Sequence, residues 1–374
     1  MKYLFLFIVI VHGLIHLMGF TKAFNLATLE QLRAPITQPV GLLWLAAALL
    51  FLVSAVLLLV APDWWWLPAA GAVVISQGVI IASWSDAKFG TIANLIVLVP
   101  VIVGGLGHAP WSFRAQYTRD VAVGLARAPA QIPLVTEADL AHLPPIVQKY
   151  LRFAGVIGKP QVWNYRLRFG GEMRNGPNAA WMPITADQQS FVDPPTRLFL
   201  VEGAMSGLPF TGFHRYVTAG ATFQVRAVSL VSMVDDKGPE LNRAETVTLF
   251  NDMCLMAPAS LIDRRIVWEE IDPQTVRATY TNAGNTISAI LSFDERGAIT
   301  NFVSDSRERS EDRKNMGLAP SDPTLRWSTP VYEWSDFNDY TLPSKADAIW
   351  HLPSGEYAYA HFEIRTVEYN VAGN

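Results

Sequence analysis

The sequence predicts two parts of different fold class: an all-α bundle of four transmembrane helices, then an α+β domain with a curved antiparallel sheet and packed helices. Residues 1–107 contain four long apolar stretches and almost no charge. The remaining residues mostly alternate between polar and apolar side chains, with the two-residue period of half-buried strands. We therefore divide the chain into a transmembrane domain over residues 1–107, a membrane-proximal connector over 108–133 and a soluble, strand-rich domain over 134–374.

The four apolar stretches have the length of membrane-spanning helices. A bilayer core of about 30 Å needs about 20 apolar residues in a helix, and a helix satisfies its own backbone polar groups in lipid. The stretches are Lys2–Gly19, Val40–Ala61, Trp64–Trp84 and Thr91–Leu106. A cleaved signal peptide is the alternative for the first stretch, but no small-residue cleavage site precedes Phe20. Short links between the later stretches favour antiparallel neighbours, so we expect a four-helix bundle in the membrane.

Two histidines lie inside the first apolar stretch, where polar groups are costly and point to function. His12 and His16 are four residues apart and therefore share one face of a helix. This spacing suits a metal or haem site supplied by one helix, with His108 as the next candidate ligand. The alternative interpretation is that both histidines hydrogen-bond to neighbouring helices, as we expect for Ser76 and Asn94.

The C-terminal domain begins with helical signals and continues as strands. Thr136 and Asp139 form a predicted capping box, and a helix over Ile146–Phe153 follows two prolines. A further helix over Glu240–Leu261 interrupts the strands, directly after a predicted turn at Asp235–Gly238. The predicted strands are Val162–Phe169, Trp181–Phe191, Arg197–Glu202, Phe213–Val217, Thr222–Val228, Val231–Val234, Val276–Tyr280, Thr286–Phe293, Ala298–Asp305, Val331–Trp334, Asp347–His351 and Tyr357–Glu368.

The helix over Glu240–Leu261 carries a methionine-rich apolar face. A helix packed on a sheet explains this face. A helix that crosses the concave side of a curved sheet would also leave an apolar groove, which is a natural ligand site. Methionine side chains adapt to ligands of many shapes. The residues predicted to line this groove are Trp163, Leu249, Phe250, Met253, Met256 and Trp268.

The sequence favours a non-enzymatic protein. It contains no P-loop, dinucleotide-binding glycine turn, nucleophile elbow or zinc-protease motif, so we expect no cofactor other than the haem or metal considered above. The formal net charge of −4 gives no basis for nucleic-acid binding. Glu269 and Glu270 are adjacent on a predicted strand and point to opposite faces, which disfavours paired acid–base catalysis. Cys254 is the single cysteine, so an internal disulfide is excluded.

Several separated motifs resemble those of one family. In chain order they are His12–Phe20 (HGLIHLMGF), Trp84–Leu95 (WSDAKFGTIANL), Leu143–Pro160 (LPPIVQKYLRFAGVIGKP), Leu255–Asp272 (LMAPASLIDRRIVWEEID), Trp334–Tyr340 (WSDFNDY) and Ile349–Tyr359 (IWHLPSGEYAY). Together they resemble the four-span members of the DUF6544-type group of bacterial proteins. The resemblance implies a protein of the bacterial cytoplasmic membrane, with a soluble domain similar to the LolA-like half-barrel of lipoprotein carriers. It implies no particular activity, and Thr248–Met256 departs from the family pattern.

Three functions are compatible with the sequence. The leading hypothesis is a membrane-tethered protein that binds a lipid or another apolar molecule in the groove. The first alternative is a membrane haem or metal redox protein that uses His12 and His16. The second alternative is an assembly or sensing subunit that recognises a protein partner. The aromatic surface expected in that case consists of Trp327, Tyr332, Trp334 and Tyr340.

Overall fold

A computed structural model describes residues 2–218, 220–319 and 324–373. The contacts divide the chain into two compact units, Met1–Ser112 and Phe113–Asn374. The first unit consists of helices, and the second combines a large antiparallel sheet with helices, as the sequence predicts.

The helices of the N-terminal unit follow the four predicted apolar stretches. They are α1 (Lys2–Ala23), α2 (Gln38–Val60), α3 (Trp66–Ala82), the one-turn helix α4 (Trp84–Ala87) and α5 (Gly90–Gly107). By length and composition, α1, α2 and α5 are able to cross a membrane. The predicted third span is shorter than expected, because α3 has 17 residues and ends before Ser83.

The helices of this unit pack in sequence order. α1 lies against α2, α2 against α3 and α3 against α5, and α1 also contacts α5. Phe51, Ala69 and Val97 are fully buried between them. The α1–α2 contact is close: a Cβ atom added to Gly19 would lie 2.2 Å from the Trp44 ring.

The C-terminal unit contains thirteen strands and five α-helices within the described residues. The strands are β1 (Asn164–Met173), β2 (Met182–Phe191), β3 (Thr196–Met205), β4 (Leu208–Val217), β5 (Gly220–Ala227), β6 (Val231–Lys237), β7 (Ile266–Asp272), β8 (Thr275–Asn282), β9 (Asn285–Phe293), β10 (Ile299–Ser304), β11 (Arg326–Phe337), β12 (Tyr340–Leu352) and β13 (Gly355–Tyr369). The helices are α6 (Phe113–Leu125), α7 (Glu137–Leu140), α8 (Pro145–Phe153), α9 (Pro239–Met256) and α10 (Ser310–Asn315).

Local predictions for this unit are confirmed at α7 and corrected around α9. The predicted capping box at Thr136 is present. The turn predicted at Asp235–Gly238 is wrong for its first three residues, because they continue β6 and pair with β5. α9 ends at Met256, earlier than predicted, because proline cannot continue an α-helix and Pro258 starts a short 3₁₀ turn.

The strands form one antiparallel sheet made of two meanders. β1–β6 and β7–β13 are each connected strand to strand, and the pairing of β1 with β13 joins them. β6 and β7 are the two outer strands, and α9 connects them.

This sheet is strongly curved. β4 and β8 are third and twelfth in the strand order, so nine spacings separate them, or about 43 Å in a flat sheet. Asn282 of β8 nevertheless donates a hydrogen bond to the Tyr216 hydroxyl of β4 over 2.9 Å. The two halves of the sheet therefore bend towards each other.

α9 lies on the inner side of the curve, and α6 lies on the outer side of β3 and β4. α9 contacts β5 and β6 near one edge and β9 and β10 near the other. Along β3, Leu198 and Leu200 pack with Phe113 of α6, whereas Phe199 and Val201 belong to the inner core. Alternate side chains of β3 thus pack on opposite faces of the sheet, one covered by α6 and the other by the inner core. The predicted connector, residues 108–133, contains α6.

Candidate ligand-binding site inside the curved sheet

Helix α9 is enclosed rather than laid on a surface. Thirteen of its 18 residues are buried, and they include both apolar and polar side chains. A helix on a protein surface shows polar residues on one side only. Because α9 is covered on nearly all sides from Ala244 to Met256, the polar side chains of this part must find partners inside the sheet.

Four of the six residues predicted to line a groove come together on α9. Leu249, Phe250, Met253 and Met256 are all buried in the core of the C-terminal unit. Phe250 stacks on Tyr280 of β8 with ring centroids 5.3 Å apart. These side chains form the apolar part of the interior.

The other two predicted residues are tryptophans at different places. Trp268 of β7 is half-buried and packs against the same core as α9. Trp163 lies instead in the cluster beneath α6, where its ring is 5.7 Å from that of Phe191. Trp163 precedes β1 and faces the outer side of the sheet, so it does not join the residues of α9.

A buried group of charges completes the interior. Arg197 of β3 places its Nε atom 2.7 Å from a carboxylate oxygen of Asp252, and its Nη1 atom 3.4 Å from Glu245. Gln188 of β2 donates a second hydrogen bond to Asp252 over 2.8 Å. His214 of β4 lies 3.4 Å from Glu245. The charged face of α9 therefore points to strands β2–β4.

The surroundings of these groups fix their protonation. Burial disfavours the charged form of Glu245, but the adjacent His214 and Arg197 side chains hold the pKa of that carboxyl below its ordinary value. Burial lowers the pKa of His214. Burial also opposes the charge of Arg197, yet Asp252 and Glu245 keep the pKa of the guanidinium above its ordinary value. At neutral pH the guanidinium therefore stays charged between two carboxylates.

Further hydrogen bonds attach α9 to the elements around it. The Tyr216 hydroxyl lies 2.8 Å from Thr246 Oγ1. Asn251 donates to Thr329 of β11 over 2.6 Å. Tyr150 of α8 donates to the backbone carbonyl of Cys254 over 2.6 Å. Burial keeps the pKa of the Cys254 thiol well above its ordinary value, so this thiol is not an activated nucleophile.

Several polar atoms of the interior have no hydrogen-bond partner among the described residues. They include the hydroxyls of Tyr165 and Tyr280, Nε1 of Trp268 and Oε1 of Gln188. A buried polar atom without a partner costs about 1–3 kcal/mol. An apolar interior with a few such atoms is able to accept a molecule with a long apolar part and a small polar group.

The predicted metal ligands of the N-terminal unit are placed in a hydrogen-bond network. His12 contacts Asn94, and His16 contacts Ser76, so α1 is joined to α3 and α5. Both ring nitrogens of His16 have partners. Among the residues that the structure describes, no group of three or more His, Cys, Asp or Glu side chains is placed to hold a metal ion.

The aromatic surface considered for a protein partner is mostly covered. Trp327 and Tyr340 are buried, and Trp334 packs edge-on against Phe153 of α8. Tyr332 is the member of this set that is exposed.

Sequence reasoning missed the charged part of the interior, although a signal was present. Glu245 and Asp252 are seven residues apart, or two helical turns, and so lie on one face. Acidic residues repeated along a helix that also carries apolar residues on its other sides indicate a buried charge partner. The residues around Glu245 and Asp252 do not identify that partner as Arg197, because the pairing of strands in the sheet brings Arg197 to α9.

The sequence matches a family of unknown function, DUF6544, over residues 133–362. Among solved structures, a domain named for outer membrane lipoprotein sorting from Vibrio parahaemolyticus is 8% identical, with 56% of this chain and 86% of that chain covered at a TM-score of 0.33. A LolA superfamily protein from Nitrosomonas europaea is 10% identical, with coverage of 60% and 92% and a TM-score of 0.34. A DUF1329 family protein from Desulfovibrio piger is 8% identical, also with coverage of 60% and 92% and a TM-score of 0.34. No curated protein matches the sequence. Since the family match spans more than half of the chain, this protein belongs to the DUF6544 family.

Proposed function

We propose that this protein is a membrane-anchored binding protein that holds a lipid or another apolar molecule inside the curved sheet of its C-terminal unit. In this proposal the sheet acts as a half-barrel and α9 occupies its interior when no ligand is bound. The observation that carries the proposal is the enclosure of α9, whose methionine-rich side faces the apolar core.

The anchor in this proposal is the N-terminal unit. Three of its helices have the length and apolar composition of membrane spans. We place the protein in the bacterial cytoplasmic membrane, where lipids are at hand for the C-terminal unit. The bundle would then keep the binding unit close to its ligand.

The buried polar atoms without a hydrogen-bond partner would make the bound state of a ligand more favourable than its place in the bilayer. Moving an acyl chain from the bilayer into a dry interior gains little hydrophobic free energy, because both environments are apolar. Hydrogen bonds to the polar end of the ligand must therefore favour the bound state. Burial raises the pKa of Tyr280 to about 12, so its hydroxyl keeps the proton that it would donate.

Photo-crosslinking tests the proposal on the full-length protein. The protein is reconstituted with a phospholipid that carries a diazirine in one acyl chain, irradiated and digested, and the labelled peptides are identified by mass spectrometry. We expect label on the peptide that contains α9, in addition to label on the membrane helices. Label confined to residues 2–107 contradicts the proposal.

Two tyrosine variants separate ligand binding from stability. Tyr280→Phe removes a hydroxyl without a partner, so it should leave the unfolding free energy unchanged or slightly higher and reduce the label on α9. Tyr216→Phe is the matched control, because its hydroxyl is hydrogen-bonded to Thr246 and Asn282. This control should lower stability by about 1–3 kcal/mol. Unchanged label in Tyr280→Phe would show that its hydroxyl does not contact the ligand.

A further inference from the structure

Two neighbouring hairpins of the C-terminal unit, β3–β4 and β5–β6, end in exposed apolar side chains. We call the residues around each turn a tip: Gly203–Phe210 in the first hairpin and Ala227–Val234 in the second. The tips lie side by side, because β4 pairs with β5 and the Val228 amide donates to the Pro209 carbonyl over 2.8 Å. The large exposed apolar side chains of the two tips form what we call the tip patch: Leu208, Leu230, Val231 and Met233. Neighbouring exposed apolar side chains of this kind mark interaction sites.

Neither tip contains a charged residue. The turn between β9 and β10, by contrast, carries three in succession, Asp294, Glu295 and Arg296. Charged side chains are costly in lipid, whereas apolar side chains enter the boundary between headgroups and acyl chains favourably. The composition of the tips therefore suits insertion into the surface of a bilayer.

Helix α6 shows which end of these strands follows the membrane anchor along the chain. α5 ends at Gly107 and α6 begins at Phe113, so the connecting residues 108–112 can span at most about 20 Å. The Arg226 guanidinium lies over the Phe113 ring, 4.3 Å from its centroid, and Arg114 pairs with Glu202 over 2.7 Å. Glu202 directly precedes the first tip, and Arg226 directly precedes the second. The start of α6 is therefore at the tip end of the strands.

The rest of α6 runs away from the tips. Asp120 pairs with Arg215 near the other end of β4, and Gly124 packs on Phe191, which pairs with the first residue of β3. The segment before α6 contains Trp111, which is 65% exposed, and indole rings favour the level of the lipid headgroups. The chain thus passes from a membrane helix through a short segment to the end of the sheet that carries the tip patch.

We propose that the tip patch inserts into the surface of the bilayer that anchors the protein. Its side chains reach the boundary between headgroups and acyl chains, about 5–10 Å into the interface, as the apolar faces of interfacial helices do. The insertion holds the C-terminal unit on the membrane in one orientation. This inference rests on the membrane anchor and does not depend on a ligand inside the curved sheet.

Fluorescence quenching by a spin-labelled lipid tests the insertion on the full-length protein in phospholipid vesicles. Ser206→Cys places a thiol in the first tip, and Thr218→Cys places one in the turn at the other end of β4. Both positions are exposed and have positive φ, and the ten residues of β4 separate them by about 30 Å. The new thiol takes a nitrobenzoxadiazole label, because Cys254, the single native cysteine, is buried. We expect a blue-shifted emission and quenching by a phospholipid with a doxyl group on its acyl chain at position 206, and neither at position 218.

A charge in the second tip tests the patch itself. Leu230→Glu, measured with the label at position 206, removes an exposed leucine from the lipid contact and adds a carboxylate. It should lower the ratio of inserted to undocked tips at least about tenfold, and with it the quenching. Leu134→Glu is the matched control, because Leu134 is 55% exposed, bridges to Pro160 and lies in neither tip. Thermal unfolding in detergent should be the same for both variants, since both leucines are exposed.

Each outcome decides the assignment. Absence of quenching at position 206, equal quenching at positions 206 and 218, or quenching that survives Leu230→Glu would overturn it. A blue shift at position 206 that grows with the ratio of protein to lipid, without quenching by the spin-labelled lipid, would assign the tip patch to a contact with a second copy of the chain and would also overturn the insertion.

Discussion

Replacing Arg197 by methionine tests whether buried charges hold α9 inside the sheet. The guanidinium lies 2.7 Å from Asp252 and 3.4 Å from Glu245, and all three side chains are at most 10% exposed. Methionine preserves much of the side-chain length but leaves both carboxylates buried without this cation. Removing one partner of a buried ion pair costs about 3–5 kcal/mol. For a unit of this size, the loss corresponds to a melting temperature lower by about 6–20 °C.

The assay is thermal unfolding of the full-length protein in detergent, followed by tryptophan fluorescence. Arg326→Met is the matched control, because Arg326 pairs with Asp305 and both side chains are more than half exposed. The control should lose at most about 1 kcal/mol. A variant that combines Arg197→Met with Glu245→Gln and Asp252→Asn removes all three charges and should recover most of the stability. Equal losses in Arg197→Met and Arg326→Met would refute the enclosure of these charges.

The remaining predictions concern pH, thiol access and the docking of α6. The pKa of Glu245 is lower in the folded protein, so its stabilisation is complete above its ordinary value of 4.5 and is lost as the pH falls below it. His214, whose folded pKa is also lowered, should begin the loss of stability below 6.5. Unfolding free energies measured from pH 8 to 2 should lack the part of the slope below 4.5 in Glu245→Gln and the part that begins below 6.5 in His214→Phe. Cys254 should react with a maleimide only after unfolding, because it is buried; rapid labelling of the native protein would contradict the position of α9. Gly124→Ala would place a Cβ atom 2.1 Å from a phenylalanine ring of β2, so it should cost about 1–3 kcal/mol and speed hydrogen exchange in α6, whereas Gly176→Ala meets no close atom and should not.

Features that depend on local sequence were predictable. The apolar stretches correspond to helices in the structure because helix formation and hydropathy are properties of neighbouring residues. The capping box at Thr136 and the helix over Pro145–Phe153 follow from residues within one or two turns. The alternation of polar and apolar side chains along β8 and β9 likewise predicts which of their residues are buried: Ala278 and Ala289 both face the core.

Features that depend on strand order were not predictable from these patterns. β1 pairs with β13, almost 200 residues later in the chain, and this pairing joins the two meanders. The curvature that brings Tyr216 to Asn282 cannot be read from either strand alone. The misplacement of Trp163 has the same origin. Its alternation with neighbours indicates a strand, but α6 covers the outer face of the sheet in this region, so periodicity cannot distinguish the inner from the outer side.

The buried polar contacts of α9 are better explained by their effect on the orientation of this helix than by their contribution to the stability of the fold. Hydrophobic burial is non-directional, so apolar contacts alone define the rotation and register of an enclosed helix less strictly than polar contacts do. Arg197 with Glu245 and Asp252 fixes one side of α9, and the hydrogen bond from Asn251 to Thr329 fixes another. Buried ion pairs are often no more stabilising than apolar side chains of the same size, so defined register is the stronger reason to keep them. A helix held by a few polar contacts in an apolar interior has one defined closed position, and the proposed binding of a lipid, in which the interior would open and close again, would need such a position.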